Sequence, residues 1–184
     1  MPHRRRPRYL YAWAGMCFVP ILCACSQPFF PAKAVRDLDA NMQISLFSSE
    51  VDTYFKGHVA QVGGRIISVR HSDKGNLITA YELPLEDRSS MPNEKVRPIG
   101  LFVFLFPGEI DPAGVQTGNE FVLVGEIEGV EVVQTDTVRR PVPYLIARCV
   151  HVWKTGSFAM ADFPHLPAGY SALDQQTYCQ PRWQ

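Results

Sequence analysis

The sequence has 184 residues with 18 basic and 18 acidic side chains, a formal net charge of zero, and no evident repeat or low-complexity tract. Four of the bases but none of the acids precede residue 25, so the rest of the chain carries 14 bases against 18 acids, a net charge of −4. That length suits one domain with tails, and a slightly acidic chain lacks the basic surface by which nucleic acid would be bound.

Residues 1–24 have the pattern of a secretory signal peptide. The first eight residues contain four arginines, and Tyr9 to Leu22 are 14 uncharged residues. A basic start, a short apolar run and a small residue at the cut are typical of such signals. A membrane-spanning helix needs about 20 residues, which makes an uncleaved span the weaker interpretation. A twin-arginine signal is a further alternative, which Pro7 and the apolar run do not support.

The stretch Leu22-Cys23-Ala24-Cys25 resembles a lipobox, the sequence at which a bacterial lipoprotein is cut and acylated. The chemistry requires a branched apolar residue, then small residues, then a cysteine whose thiolate takes up a diacylglyceryl group. We therefore predict acylation of Cys25, with an ordinary cysteine after a standard signal cut as the alternative. In bacterial lipoproteins generally, an aspartate after the cysteine retains the protein in the inner membrane. Ser26 instead predicts transfer to the outer membrane.

The predicted anchor is entirely lipid. The mature chain has no polybasic patch that would attract anionic lipid. Each buried CH₂ of an acyl chain contributes about 0.8 kcal/mol, and one chain alone binds only marginally. The bilayer is therefore expected as a partner through several acyl chains together.

Two cysteines remain after this processing. Cys17 and Cys23 leave with the signal peptide and Cys25 is used by lipid, so Cys149 and Cys179 are left. An even number in an oxidising compartment makes a Cys149–Cys179 disulfide one interpretation. The other has Cys149 as a small core residue and Cys179 as an exposed thiol in a loose tail.

Residues 25–50 are predicted to form a lipidated, irregular tether. Pro28 and Pro31 interrupt it, while Phe29 and Phe30 are expected either to enter the membrane interface or to pack on the domain. The run from Ser49 to Asp52 has the form of a capping box, which indicates a short helix or turn.

From residue 57 the pattern changes to β. The first strand, His58 to Arg70, contains Gly63-Gly64, which suggests a bulge or sharp bend. A turn and the return strand Leu77–Leu83 complete a hairpin. Further strands are predicted at Leu101–Phe106, Phe121–Ile127, Val130–Val133 and Val142–Trp153, with a turn at Glu128-Gly129. The predicted fold is a mostly β, small antiparallel OB-like barrel over residues 51–155, followed by an irregular tail over 156–184.

The sequence offers little sign of catalysis. No two histidines have a metal-ligand spacing that recurs with a third ligand, so we predict no metal site and no cofactor. Glu126 and Glu128 would share one strand face; acid–base work is one interpretation and solvated strand residues the favoured one. Three phenylalanines of the strand Leu101–Phe106 also share a face, which is either a binding surface or, as we favour, core.

The chain resembles the Slp family of outer-membrane lipoproteins in Gram-negative bacteria. The resemblance extends over Val51 to Trp153, in ordered pieces. These are Tyr54-Phe55-Lys56-Gly57 with Val62 to Ile67, then Leu83-Pro84-Leu85, Pro107 to Pro112, Val122 to Gly129, and Pro143 with His151-Val152-Trp153. The resemblance implies an envelope lipoprotein without an established catalytic activity, and it supplies no catalytic residues.

Three hypotheses follow. The first is a non-catalytic lipoprotein at the periplasmic face of the outer membrane, with other envelope proteins as partners. The second is a ligand-binding barrel for a small apolar molecule, a peptide or a glycan, in a groove near Gly63-Gly64 and Leu101–Phe106. The third, least supported, is a periplasmic hydrolase, which would need a nucleophile–base pair or a metal cluster.

Overall fold

The computed structural model describes residues 29–39, 42, 44, 52–86, 91–135, 138–156, 165–166, 169–170 and 173–184. One short helix, eight strands and a terminal 3₁₀ turn lie in this part of the chain: α1 Asp52–Phe55, β1 Val59–Ser72, β2 Gly75–Leu83, β3 Gly100–Phe106, β4 Glu120–Thr135, β5 Val138–Trp153, β6 His165–Leu166, β7 Gly169–Tyr170, β8 Gln175–Cys179 and the turn Pro181–Trp183. Within these residues no helix is long and apolar enough to cross a membrane.

Six strands form one sheet in the order β3-β2-β1-β4-β5-β8, and parallel pairing of β3 with β5 closes a ring of hydrogen bonds. Strand β5 pairs with two further strands at different points along its length. Its Tyr144–Ile146 part pairs with β3, whereas Cys149–Trp153 pairs with β8. The prediction of a mostly β, barrel-like fold is therefore confirmed, with β8 as an added strand outside the ring.

An inner core fills the ring. Phe102, Phe104, Phe106 and Phe121 have no exposed surface, and the rings of Phe104 and Phe121 lie 5.1 Å apart at their centroids. The opposite face of β3 is also covered, because Leu101 and Val103 pack with Val142 in a separate cluster. The interpretation of the phenylalanines as core is confirmed.

An outer core lies on the other face of β1, β4 and β5. The sheet supplies residues that are at most 4% exposed: Val59, Val122, Val124, Cys149 and Trp153. Three pieces of chain cover them. They are the amino-terminal segment (residues 29–39) with Phe30 and Ala34, the loop after β2 with Leu85 and Met91, and the chain end with Leu173, Cys179 and Trp183.

The outer core corrects two expectations. Residues 29–39 pack on the sheet instead of serving as an irregular tether, and Gln175–Cys179 form β8 instead of part of an irregular tail. The physical reason lies in β4, where Phe121–Val124 are apolar at every position. Side chains alternate between the faces of a strand, so both faces of β4 must be covered.

The glycine pair makes room for side chains and does not produce a bulge. Pairing of β1 runs without interruption through Gly63 and Gly64 on both sides, and the register shift lies further on, between Ile66 and Ser68. A Cβ at Gly63 would lie 2.3 Å from Cδ2 of Leu85, and one at Gly64 would lie 2.4 Å from the carbonyl oxygen of Tyr81.

The predicted turn at Glu128-Gly129 is wrong. Strand β4 continues through it to Thr135 and pairs with β5 as far as Val138. Gly129, at φ 141°, accommodates a bulge between Ile127 and Gly129 in the continuing strand. The short helix is confirmed at Asp52–Phe55; Ser49 to Val51 of the capping box lie outside the described residues.

Candidate functional site

The predicted lipobox residues Leu22, Cys23, Ala24 and Cys25, together with Ser26, lie outside the described residues. The first described residue is Phe29, four positions after Cys25. The described residues nearest to the predicted anchor are those from Phe29 onward, which pack on the sheet.

Phe29 packs on the carboxyl end of β5. Its ring stacks on the imidazole of His151 with 4.3 Å between centroids, and it meets Trp153 edge-on at 5.4 Å. Neighbouring strand β8 fixes the imidazole, because Nδ1 lies 2.7 Å from the Thr177 hydroxyl and Nε2 lies 3.2 Å from Oε1 of Gln175. Burial lowers the pKa of His151 below 6.5, which favours a neutral ring in this aromatic contact.

Arg148 holds the next part of the segment. Nη1 of this buried side chain donates to the carbonyl oxygens of Ala34 at 3.4 Å and Arg36 at 3.1 Å. The same guanidinium lies 4.2 Å from the centroid of the Trp183 ring. One side chain of β5 thus contacts both the amino-terminal segment and the chain end.

The segment then joins the start of β1. Leu38 forms a parallel bridge with Val59, and the N–H of Asp39 donates to the Val59 carbonyl at 2.9 Å. Phe30 is 5% exposed and Ala34 is fully buried. Aromatic stacking, burial, side-chain hydrogen bonds and backbone pairing therefore fasten residues 29–39 along their whole length.

The carboxyl end is fastened covalently. Cys149 and Cys179 are directly paired residues of β5 and β8, and a disulfide joins them. Of the two interpretations the sequence left open, the structure contains the disulfide. Cys149 is fully buried in the outer core, so the bond ties β8 to the same surface that the amino-terminal segment covers.

Sequence reasoning missed a buried acid. Glu120 has no exposed surface, and Arg65 donates to its Oε1 from Nε at 3.2 Å and from Nη2 at 2.5 Å. Burial raises the pKa of Glu120 to about 7, although the hydrogen bond from Arg65 opposes the shift. Nη2 of Arg65 also contacts Oε2 of Glu94 at 3.2 Å, and the charge of Glu94 raises the pKa of Glu120 further. The only sequence signal was an acid at the head of an apolar strand.

The two acids singled out from the sequence are held by cations. Glu126 Oε2 lies 3.6 Å from Nη2 of Arg148, and Glu128 Oε2 lies 3.7 Å from Nζ of Lys56. His58 immediately precedes β1, His71 lies within β1 near its other end, and His151 is on β5. Among the described residues, no group of three His, Cys, Asp or Glu side chains could hold a metal ion.

A groove of about 450 Å³, here called the hairpin groove, lies between the outer end of the β4–β5 hairpin and strands β1 to β3. It combines apolar side chains, Leu77, Val103 and Val133, with charged ones, Arg70, Glu131 and Arg139. Val103 belongs to the strand that the second hypothesis named. The glycine pair does not line the groove, because Leu85 covers Gly63.

Comparison with known proteins adds one match. Residues 22–183 match the family described as Outer membrane lipoprotein Slp family. No curated protein and no solved structure matches significantly. The matched region spans nearly the whole chain and begins at Leu22, the first residue of the predicted lipobox. The chain therefore belongs to the Slp family of outer-membrane lipoproteins.

Proposed function

We propose that this protein is a non-catalytic lipoprotein held on the periplasmic face of the outer membrane by acyl chains on Cys25. Its sheet domain serves as an interaction or structural module. The observation that carries the proposal is the extent of the family match, which begins at Leu22 and so includes the lipobox with the cysteine to be acylated. A diacylglyceryl thioether with an amide-linked acyl chain supplies the several chains that firm anchoring requires.

The placement of the ionisable groups favours a binding or structural role over catalysis. Glu120 is fully buried and bound by Arg65, and Glu126 and Glu128 are paired with cations. The Thr177 hydroxyl and His151 approach each other as a nucleophile and a base would. However, the second ring nitrogen of His151 faces an amide oxygen of Gln175 instead of a carboxylate, and Phe29 covers the ring.

Processing of matched variants tests the anchor. Cys25→Ala should leave uncut precursor in the inner membrane, as should globomycin, which inhibits the lipoprotein signal peptidase. Cys23→Ala is the control, because alanine still meets the requirement for a small residue and should be processed normally. Ser26→Asp should keep the acylated protein in the inner membrane. Normal sorting of Cys25→Ala to the outer membrane would contradict the proposal.

The hairpin groove favours a second candidate function, the binding of a small molecule with an apolar body and an acidic group. Leu77, Val103 and Val133 would contact the apolar part, and Arg70 and Arg139 the acid. Titration with dansylaminoundecanoic acid should give saturable fluorescence enhancement. Thr79→Trp, which fills the groove, should abolish the enhancement, whereas Val96→Trp on an exposed loop should not. Equal binding by both variants would rule out this site.

A further inference from the structure

The distance between the predicted anchor and the folded domain is short. Only Ser26, Gln27 and Pro28 separate Cys25 from Phe29, which already stacks on His151. Four residue steps of fully extended chain span at most about 14 Å. A spacer that starts at Cys25 therefore cannot lift the end of β5 far from the lipid, provided that the proposed acylation of Cys25 is correct.

The surface nearest to this anchor can be named. Phe29, Phe30, Pro31 and Ala32 line a shallow cleft of about 510 Å³ together with Thr177, Cys179 and Gln184. We call this surface the anchor face. The first and the last described residues, Phe29 and Gln184, both lie on it.

Exposed cations near the anchor face can contact phospholipid headgroups. Lys33 and Arg36 are exposed in the segment, and Arg182 is exposed beside Trp183. The exposed acids of the segment, Asp37 and Asp39, follow directly after Arg36, where Leu38 bridges to Val59. Cations beside aromatic side chains are typical of protein surfaces at the membrane interface.

The opposite end of β5 carries different features. Val138 begins this strand at the hairpin end, and Trp153 ends it beside Phe29. Val132 and Val138 are 60% and 58% exposed, and the hairpin groove lies at their end of the sheet. An anchor at one end of β5 therefore determines which features point away from the bilayer.

We propose that the anchor face lies on the phospholipid headgroups of the membrane that holds Cys25, with the tip of the β4–β5 hairpin directed away from it. The domain then has one fixed orientation instead of hanging from a long tether. The partner of this surface is the headgroup layer itself, and the opposite end of the sheet is presented to the periplasm.

The test uses the full acylated protein in vesicles of phosphatidylethanolamine and phosphatidylglycerol. The fluorescent amino acid acridonylalanine replaces exposed Ala32 in one sample and exposed Val132 in another, and a lipid with a nitroxide on its headgroup quenches the label. The proposal expects quenching at least about threefold stronger at position 32 than at position 132. Equal quenching, or stronger quenching at position 132, would overturn it.

Two further measurements separate the causes. Mass spectrometry of the same samples reports acylation of Cys25, so a free thiol there defeats the proposed function, whereas equal quenching of acylated protein defeats only the orientation. Inserting a flexible Gly/Ser linker of about 20 residues between Gln27 and Pro28 lengthens the connection. If the difference in quenching between positions 32 and 132 is then lost, the short connection sets the orientation. If it persists, lipid contacts of the anchor face set the orientation. Both results support the proposal.

Discussion

Phe29 stacks on His151 at 4.3 Å, which joins the beginning of the described chain to the last long strand of the sheet. The chain end reaches the same region through β8, whose Thr177 and Gln175 hold the imidazole. Both chain ends thus depend on the last third of β5, and the first predictions concern the contacts made there.

Phe29→Ala should loosen the amino-terminal segment. The side chain is half-buried and contacts two rings, so the free energy of unfolding should fall by about 1 to 2 kcal/mol. Urea denaturation measures this change, and trypsin should cleave faster after Lys33 and Arg36. Tyr54→Ala is the control, because Tyr54 is also aromatic but 76% exposed. Tryptic cleavage at the wild-type rate would show that Phe29 does not hold the segment.

Replacement of Arg148 should be costly even when the charge is kept. Arg148→Met removes two hydrogen bonds to carbonyl oxygens and the contact with Trp183, which should lower the free energy of unfolding by about 2 to 4 kcal/mol. Arg148→Lys should lose most of that amount, since an ammonium group lacks the planar fork. The matched control is Arg182→Lys, whose side chain is exposed. Chemical denaturation of the three variants measures these free energies of unfolding. An Arg148→Lys variant as stable as the wild type would contradict the assigned role.

Glu120 should give the fold a pH dependence of definite sign. Its pKa rises from 4.5 to about 7 on folding, so between these values the folded state holds a proton that the unfolded state has released. Its contribution to the free energy of unfolding therefore falls as pH rises through this window, by at most about 1.4 kcal/mol per pH unit, and is level above it. Glu120→Gln should remove this slope.

The measurement is urea unfolding at several pH values between about 4.5 and about 7.5, expressed as the variant minus the wild type. The difference is needed because burial lowers the pKa of His151. That residue contributes stability which is lost as pH falls below 6.5, the opposite trend. Glu128→Gln, which alters a surface ion pair with Lys56, is the control. An identical slope in Glu120→Gln and wild type would refute the assignment.

Reduction of the disulfide should release β8 before the ring opens. Cys149 and Cys179 are 30 residues apart, and the chain-entropy estimate for a loop of that size is about 3 to 4 kcal/mol. A reductant or the Cys149→Ala/Cys179→Ala double variant should lower the unfolding free energy by up to that amount. Hydrogen exchange should accelerate at β8 amides and leave those of Phe102 to Phe106 protected; equal acceleration at both sites would contradict a separable β8.

The sequence predicted those features that local patterns encode. The run His58 to Arg70, the turn after it and the return strand Leu77–Leu83 identified the first hairpin, and the run Leu101–Phe106 identified a strand whose phenylalanines belong to the core. A continuous apolar run indicates burial directly, which is why this part of the inner core could be predicted. The predicted lipobox has a different basis, since a processing enzyme reads such a motif as linear sequence.

The outer core could not be predicted in the same way, because it depends on contacts between distant segments. Phe29 and Phe30 carry no periodicity that distinguishes a lipid surface from the face of a sheet. The glycine at position 63 suggests a bend in the sequence, but its role depends on Leu85, 22 positions later, which occupies the space above it. The Arg65–Glu120 pair likewise exists only because β1 and β4 are neighbours, with these two residues in register.

The common cleft of Phe29 and Gln184 has a practical consequence for anyone who labels this protein. An affinity tag fused after Gln184 would emerge beside the residues that follow Cys25, and with the proposed acylation of Cys25 it would compete with the membrane for the same space. A reporter inserted between Thr135 and Val138, the outermost pair of β4 and β5, would lie at the opposite end of the sheet.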